Sequence, residues 1–148
     1  MSTWFGGNGV SYTEREVFEE LSSLNPSKVY VGCDSQPVKD HLVFALAVCI
    51  LDSGARYWIR RTSVSPSLYP SLSLRLINEV VEACLCANKI RERLDVDVAV
   101  HADVNASSKY PSNRVEKQVI NYIKGMGFEY AVKPDSWASC SVADRHSK

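Results

Sequence analysis

The 148-residue sequence has no excess of charge of either sign: 17 Lys and Arg face 17 Asp and Glu. Zero net charge argues against a protein that coats nucleic acid by bulk attraction, because that affinity comes from neutralising many phosphates. It leaves room for a local basic rim beside an acidic pocket. No CxxC pair occurs, and the cysteines, Cys33, Cys49, Cys84, Cys86 and Cys140, are odd in number. That pattern fits neither a disulfide framework nor a zinc knuckle. Most of them sit in apolar stretches, where a free thiol behaves as a small hydrophobe, so a reducing compartment is expected. No apolar run approaches the ~20 residues of a membrane span. The opening MSTWFGGNG lacks the basic and apolar regions of a secretory signal, and a cytoplasmic location is expected. Internal repeats, low-complexity blocks and interdomain linkers are also missing.

The chain has the length of one domain. At that size folding buries roughly 70% of the unfolded surface, enough for one core without staples. Residues 1–11 are Gly-rich and read as a flexible tail, leaving 12–148 as a single domain. Thr13 with Glu16 forms a capping box that opens a helix over Glu14–Leu24. Lys28–Ser35 alternates Val29, Val31 and Cys33 against Tyr30, Gly32 and Asp34, which is a strand. His41–Leu51 and Arg56–Val64 read as two more strands around the Asp52-Ser53-Gly54 turn.

A long helix follows over Leu72–Leu94, with Leu76, Val80, Ala83, Ala87, Ile90 and Leu94 on one stripe. Asp95–Val104 reads as a strand with Asp97, Ala99, His101 and Asp103 on one face. The spacing then predicts a helix over Ser112–Lys124, a strand over Phe128–Val132, and a last helix capped by Asp135 and reaching about Asp144. Three strands in a meander, then two parallel strands reached by helical crossovers, make a mixed five-stranded α/β sheet with helices on both faces.

In that arrangement Asp34 and Asp103 each end a strand. If the strands are parallel neighbours, both acids lie at the carboxyl edge of the sheet, where open α/β sheets bind ligands. Two carboxylates so close repel unless a cation separates them or one is protonated. Glu79 falls beside Leu76 and Ala83 at the border of the buried stripe, whereas Glu82 faces water. Asp144 comes from the last helix, whose Ala138, Ser139, Cys140 and Ala143 are small enough for close packing. Four hard oxygen ligands suit Mg²⁺ or Mn²⁺ rather than zinc.

The segments VGCDSQ, HADVN, SNR and KPDSWASCSVADRHSK resemble the bacterial and phage YkuK-type family of the ribonuclease H-like superfamily. The similarity spans about Lys28 to Lys148, and its last segment is the most specific. The resemblance implies a ribonuclease H-like fold and a metal-dependent, nuclease-type site, and implies no particular substrate, so RNA, DNA and a hybrid stay open as the nucleic-acid partner. Carried over by position, Asp34 takes the first-strand metal ligand, Asp103 the middle-strand ligand and Asp144 the last-helix acid. Glu79 is assigned as the helix acid. Asp135 competes with Asp144, and is placed second because it follows Pro134 as a helix cap.

Around these acids, Ser35, Gln36, Asn105, Lys109, Arg114 and His146 are candidates to contact substrate. Lys109, Arg114, Lys117 and Lys124 can hold phosphates, and Asn113 can hydrogen-bond substrate. Tyr57, Trp58, Tyr69 and Tyr110 can stack on bases. His101 reads as a packing residue and His41 as a surface one. A scaffold that keeps the fold without the chemistry is the competing function. Trp58 and Ile59 mark an expected edge strand, which can pair with a copy of itself in a homo-oligomer.

Overall fold

The computed structural model describes residues 3–52, 54–105 and 115–148. Its strands are β1 (Trp4–Gly6), β2 (Ser11–Tyr12), β3 (Lys28–Val38), β4 (His41–Ile50), β5 (Arg56–Val64), β6 (Asp97–Asn105) and β7 (Glu129–Lys133). Its helices are α1 (Glu14–Leu24), α2 (Leu72–Leu94), α3 (Glu116–Gly125) and α4 (Asp144–Ser147), and a π-helical segment, Ala138–Ala143, leads into α4. The capping box opens α1: Thr13 Oγ1 accepts from Glu16 N at 3.1 Å, and Glu16 Oε1 from Thr13 N at 2.9 Å.

The sheet runs β2-β1-β5-β4-β3-β6-β7. Its inner five strands follow the expected order, with β3-β4-β5 antiparallel and β3-β6-β7 parallel. The sheet has seven strands rather than five, because the Gly-rich start is not a tail throughout. Trp4 is fully buried and β1 pairs with β5 over Trp58–Arg60. Strands of three and two residues are too short to show alternation, so one large aromatic ring carried the whole signal. The expected free edge at Trp58 and Ile59 is therefore covered, and both side chains are buried. That closes this strand stretch as a route to self-pairing.

Helices cover both faces. On one, α1, α2 and α3 pack Val17, Leu21, Leu76, Val80, Ile90 and Ile123 against Val29, Val31, Leu46, Val48 and Val100. On the other, Ala138 and Ala143 meet Ala45, Ala47, Cys49 and Ile59. β4 is buried on both sides, which explains its near-continuous apolar run.

Small residues set how closely the π-helical segment approaches. A Cβ on Gly32 would lie 2.5 Å from Ser139 N and 2.7 Å from the Ala138 carbonyl carbon. Only glycine admits backbone at that distance. The expected helix cap at Asp135 is corrected: that residue is exposed, and the helical stretch begins at Trp137 without a side-chain cap. The Ser136 carbonyl instead accepts from Ser139 N and Cys140 N.

Candidate metal centre

Parallel register delivers the two strand acids to one place. Gly32 is opposite His101, so two residues further on Asp34 stands beside Asp103 on the same face. Asp34 is buried, and the Asp103 side chain is 14% exposed. Glu79 arrives from α2, on the other side of the sheet, at the end of β3. One carboxylate oxygen from each of Asp34, Glu79 and Asp103 lies within 4.8 Å of the other two.

Each acid is held on one oxygen. Ser35 N (3.0 Å) and Ser35 Oγ (2.5 Å) both donate to Glu79 Oε2. Arg75, one helical turn before Glu79, donates to the Ser35 carbonyl at 2.9 Å and to its hydroxyl at 3.3 Å. Asp34 Oδ2 accepts from Ser147 Oγ at 2.8 Å and from Gln36 Nε2 at 3.3 Å. Lys133 Nζ forms an ion pair with Asp103 Oδ1 at 2.8 Å. Among the described residues, Glu79 Oε1 and Asp103 Oδ1 are buried without a hydrogen-bond partner, and Asp103 Oδ1 is met only by the Lys133 charge.

Crowding of these acids carries an electrostatic cost. Burial, then the hydrogen bond and charge of Asp103, push the Asp34 carboxyl up to about 8, while Ser147 and Gln36 pull the other way. Burial also lifts Glu79 well above the carboxylate range, with the Asp34 charge adding to it. Lys133 is lowered by burial but raised on balance by its bond to Asp103. A crowded set of acids that favours protons is one that a divalent cation can take over. The orphaned Glu79 Oε1 and the all-oxygen donor set fit such an ion of the Mg²⁺ or Mn²⁺ kind.

A family model described as Ribonuclease H-like matches residues 14–148. The chain belongs to the ribonuclease H-like family. No curated protein matches it. Among solved structures, "Thermus thermophilus RuvC structure" is similar at 15% identity and a TM-score of 0.32, covering 70% of this chain. The chain spans 62% of that one. No helix among the described residues of this ribonuclease H-like chain is long and apolar enough to cross a membrane.

The remaining candidates separate by position. Asp144 stands outside the three-acid group; Gln36 Nε2, 3.4 Å from Asp144 Oδ1, links it to Asp34, and Lys148 pairs with it at 3.3 Å. Ser35 is buried against Glu79, so the expectation that it contacts substrate gives way to a holding role. His146 Nε2 lies 3.0 Å from Tyr57 Oη, and its ring meets that of Phe5 at 5.7 Å between centroids. Asn105 ends β6 two residues past Asp103. Lys109, Arg114, Tyr110 and Asn113 lie outside the described residues. Trp58 is too buried to stack on a base, Tyr69 packs edge-on to Phe44, and Lys124 lies over Tyr130.

His101 is a packing residue, as its strand position suggests. Its Nδ1 accepts from Ala138 N at 3.0 Å, and its ring lies between Tyr30 and Trp137. Burial, helped by Lys28, holds its pKa down to about 4 and keeps it neutral. Sequence reasoning missed Lys133, Ser147 and Arg75. Arg75 was within reach, since it precedes Glu79 by four residues on one helix face. Lys133 and Ser147 lay inside the segment KPDSWASCSVADRHSK, but nothing in a linear reading pairs them with acids on other strands.

Proposed function

We propose that the protein is a metal-dependent nuclease that hydrolyses phosphodiester bonds in RNA, DNA or a hybrid. The observation that carries this reading is the convergence of Asp34, Glu79 and Asp103 within 4.8 Å, with Glu79 Oε1 buried and unpartnered. Mg²⁺ or Mn²⁺ held by these three acids would supply water activation and neutralise the charge that develops on phosphate. Asp34 and Asp103 would hold it from the sheet and Glu79 from the helix. Asp144, set back behind Gln36, is the fourth acid and acts at the rim.

Ser35 and Arg75 fix Glu79, and Ser147 and Gln36 fix Asp34. Asn105 is the candidate substrate contact on the same strand as Asp103, with Lys109 and Arg114 following it in sequence. The narrower YkuK-type assignment is supported by the segment KPDSWASCSVADRHSK, and a cytoplasmic location by the absence of any disulfide among the five cysteines. Residues 12–148 act as a single unit, with Trp4 anchoring the segment before it.

The test is a cleavage panel over RNA, DNA, hybrid and branched substrates with Mn²⁺. Wild type should cut at least one, and Asp34→Asn and Asp103→Asn should abolish cutting while leaving the circular dichroism spectrum unchanged. Cleavage at the wild-type rate in either variant would overturn the mechanism.

One observation favours a second reading, a binding scaffold without chemistry: Lys133 already supplies a cation to Asp103. A single ammonium leaves two of three carboxylates uncompensated, which is why the metal reading is preferred. Calorimetry separates the two. Absence of Mg²⁺ and Mn²⁺ binding at millimolar concentration would select the scaffold.

A further inference from the structure

We propose that Lys133 permanently fills one cation position in the acid cluster, so that the site takes one divalent ion rather than two. The inference rests on the metal-binding reading above.

The placement of Lys133 follows from an irregularity in the sheet. β6 and β7 pair in regular parallel register from Ala99–Glu129 to His101–Ala131. The next pair is Asn105–Lys133, so four steps along β6 match two along β7. The extra length of β6 lies at Ala102–Val104 and contains Asp103. This register shift brings the last residue of β7 level with the Asp103 stretch, and Lys133 Nζ lies 2.8 Å from Asp103 Oδ1. The Asp103 side chain is 14% exposed and that of Lys133 is 35% exposed.

Charge and ligand supply then agree. Asp34, Glu79 and Asp103 carry three negative charges when ionised, and Lys133 cancels one. A single divalent ion cancels the other two, and a second would leave the pocket positive beside an ammonium group. Asp144 has its own counter-ion in Lys148. The oxygens tell the same story. Ser147 and Gln36 donate to Asp34 Oδ2, Ser35 donates to Glu79 Oε2, and the Lys133 ammonium lies against Asp103 Oδ1 as an ion pair. None of these groups engages the second oxygen of each acid; Asp34 and Asp103 share a carboxyl–carboxyl hydrogen bond that a metal would displace. Three carboxylate oxygens with the remaining positions given to water or phosphate are a normal complement for one Mg²⁺ or Mn²⁺ ion.

The experiment counts ions. Mn²⁺ binding to the full chain is measured by calorimetry and by the loss of the free Mn²⁺ electron-spin signal, for wild type, Lys133→Met and Lys133→Arg. The expected result is one ion per chain in wild type and in Lys133→Arg, and two in Lys133→Met. Two ions in wild type overturn the proposal whether or not the variants fold. One ion in a folded Lys133→Met overturns it as well, since removing the ammonium then opens no second position. No binding in any protein fails the metal reading itself, an outcome distinct from a wrong count.

Discussion

Ser147 Oγ donates a 2.8 Å hydrogen bond to Asp34 Oδ2, joining residues 113 apart in the chain. The same hydroxyl lies 3.0 Å from the Asp144 carbonyl in its own helical turn. The first strand of the inner sheet is thus tied to the last helix through the residue proposed to bind metal. Partners that orient a metal ligand typically change affinity 10- to 100-fold when removed. Ser147→Ala should weaken Mn²⁺ binding by roughly tenfold or more, with secondary structure intact. Calorimetric titration checks this, and an unchanged affinity would show the contact to be incidental.

Gly32 sets the distance between the sheet and the chain segment that carries Asp144 and Ser147. A methyl group there would meet backbone, not a flexible side chain, at 2.5 Å. Backbone has to move, and overpacking of this kind costs about 1–3 kcal/mol. Gly32→Ala should lose that much in urea unfolding, and should also weaken metal binding because Ser147 shifts with its helix. A variant as stable as wild type would mean that the π-helical segment can be displaced without cost.

Much of this site is legible from local periodicity. The two-residue repeat of KVYVGCDS and DVDVAVHADV puts Asp34 and Asp103 on matching faces, and the helical stripe puts Glu79 at the sheet rim. The inner sheet order follows from the sequence of meander and crossovers. What stays hidden depends on contacts between distant elements. The register shift between β6 and β7 sets Lys133 beside Asp103, and no turn residue or glycine marks it in the sequence. The π-helical run Ala138–Ala143 looks like any short helix of small residues. β1 is hidden for another reason: three residues cannot display a period, although the burial of Trp4 is strong enough to hold them on the sheet.

The titration of Asp34 gives a pH dependence with a definite sign. Its carboxyl rises from an ordinary 3.8 to about 8, chiefly through burial and then Asp103. Between those values the folded chain holds a proton that the unfolded chain has released. Stability therefore falls as pH rises through this window, and the contribution is present in full only below about pH 4. Metal-free protein should melt at a lower temperature at pH 8 than at pH 5. Added Mn²⁺ should raise the melting temperature far more at pH 8, because the ion must displace that proton. A metal-induced shift that is the same at both pH values would contradict this.

Glu79→Gln separates the function of the site from its cost to the fold. The carboxyl is buried beside Asp34, and its Oε1 has no partner. Burial and the Asp34 charge both oppose its ionisation. A neutral amide keeps an acceptor for Ser35 N and Ser35 Oγ and removes one charge from the cluster. Metal-free Glu79→Gln should therefore be more stable than wild type at pH 8, because the neutral amide carries no charge to bury beside Asp34. The same change should weaken Mn²⁺ binding and cleavage, since the one carboxylate delivered from the helix is lost. Thermal melts with and without Mn²⁺ read both effects: the variant should melt above wild type without the ion and lose that lead when Mn²⁺ is added. A variant less stable than wild type in the absence of metal would show that Glu79 holds the fold together through Ser35 and Arg75, rather than straining it in readiness for a cation.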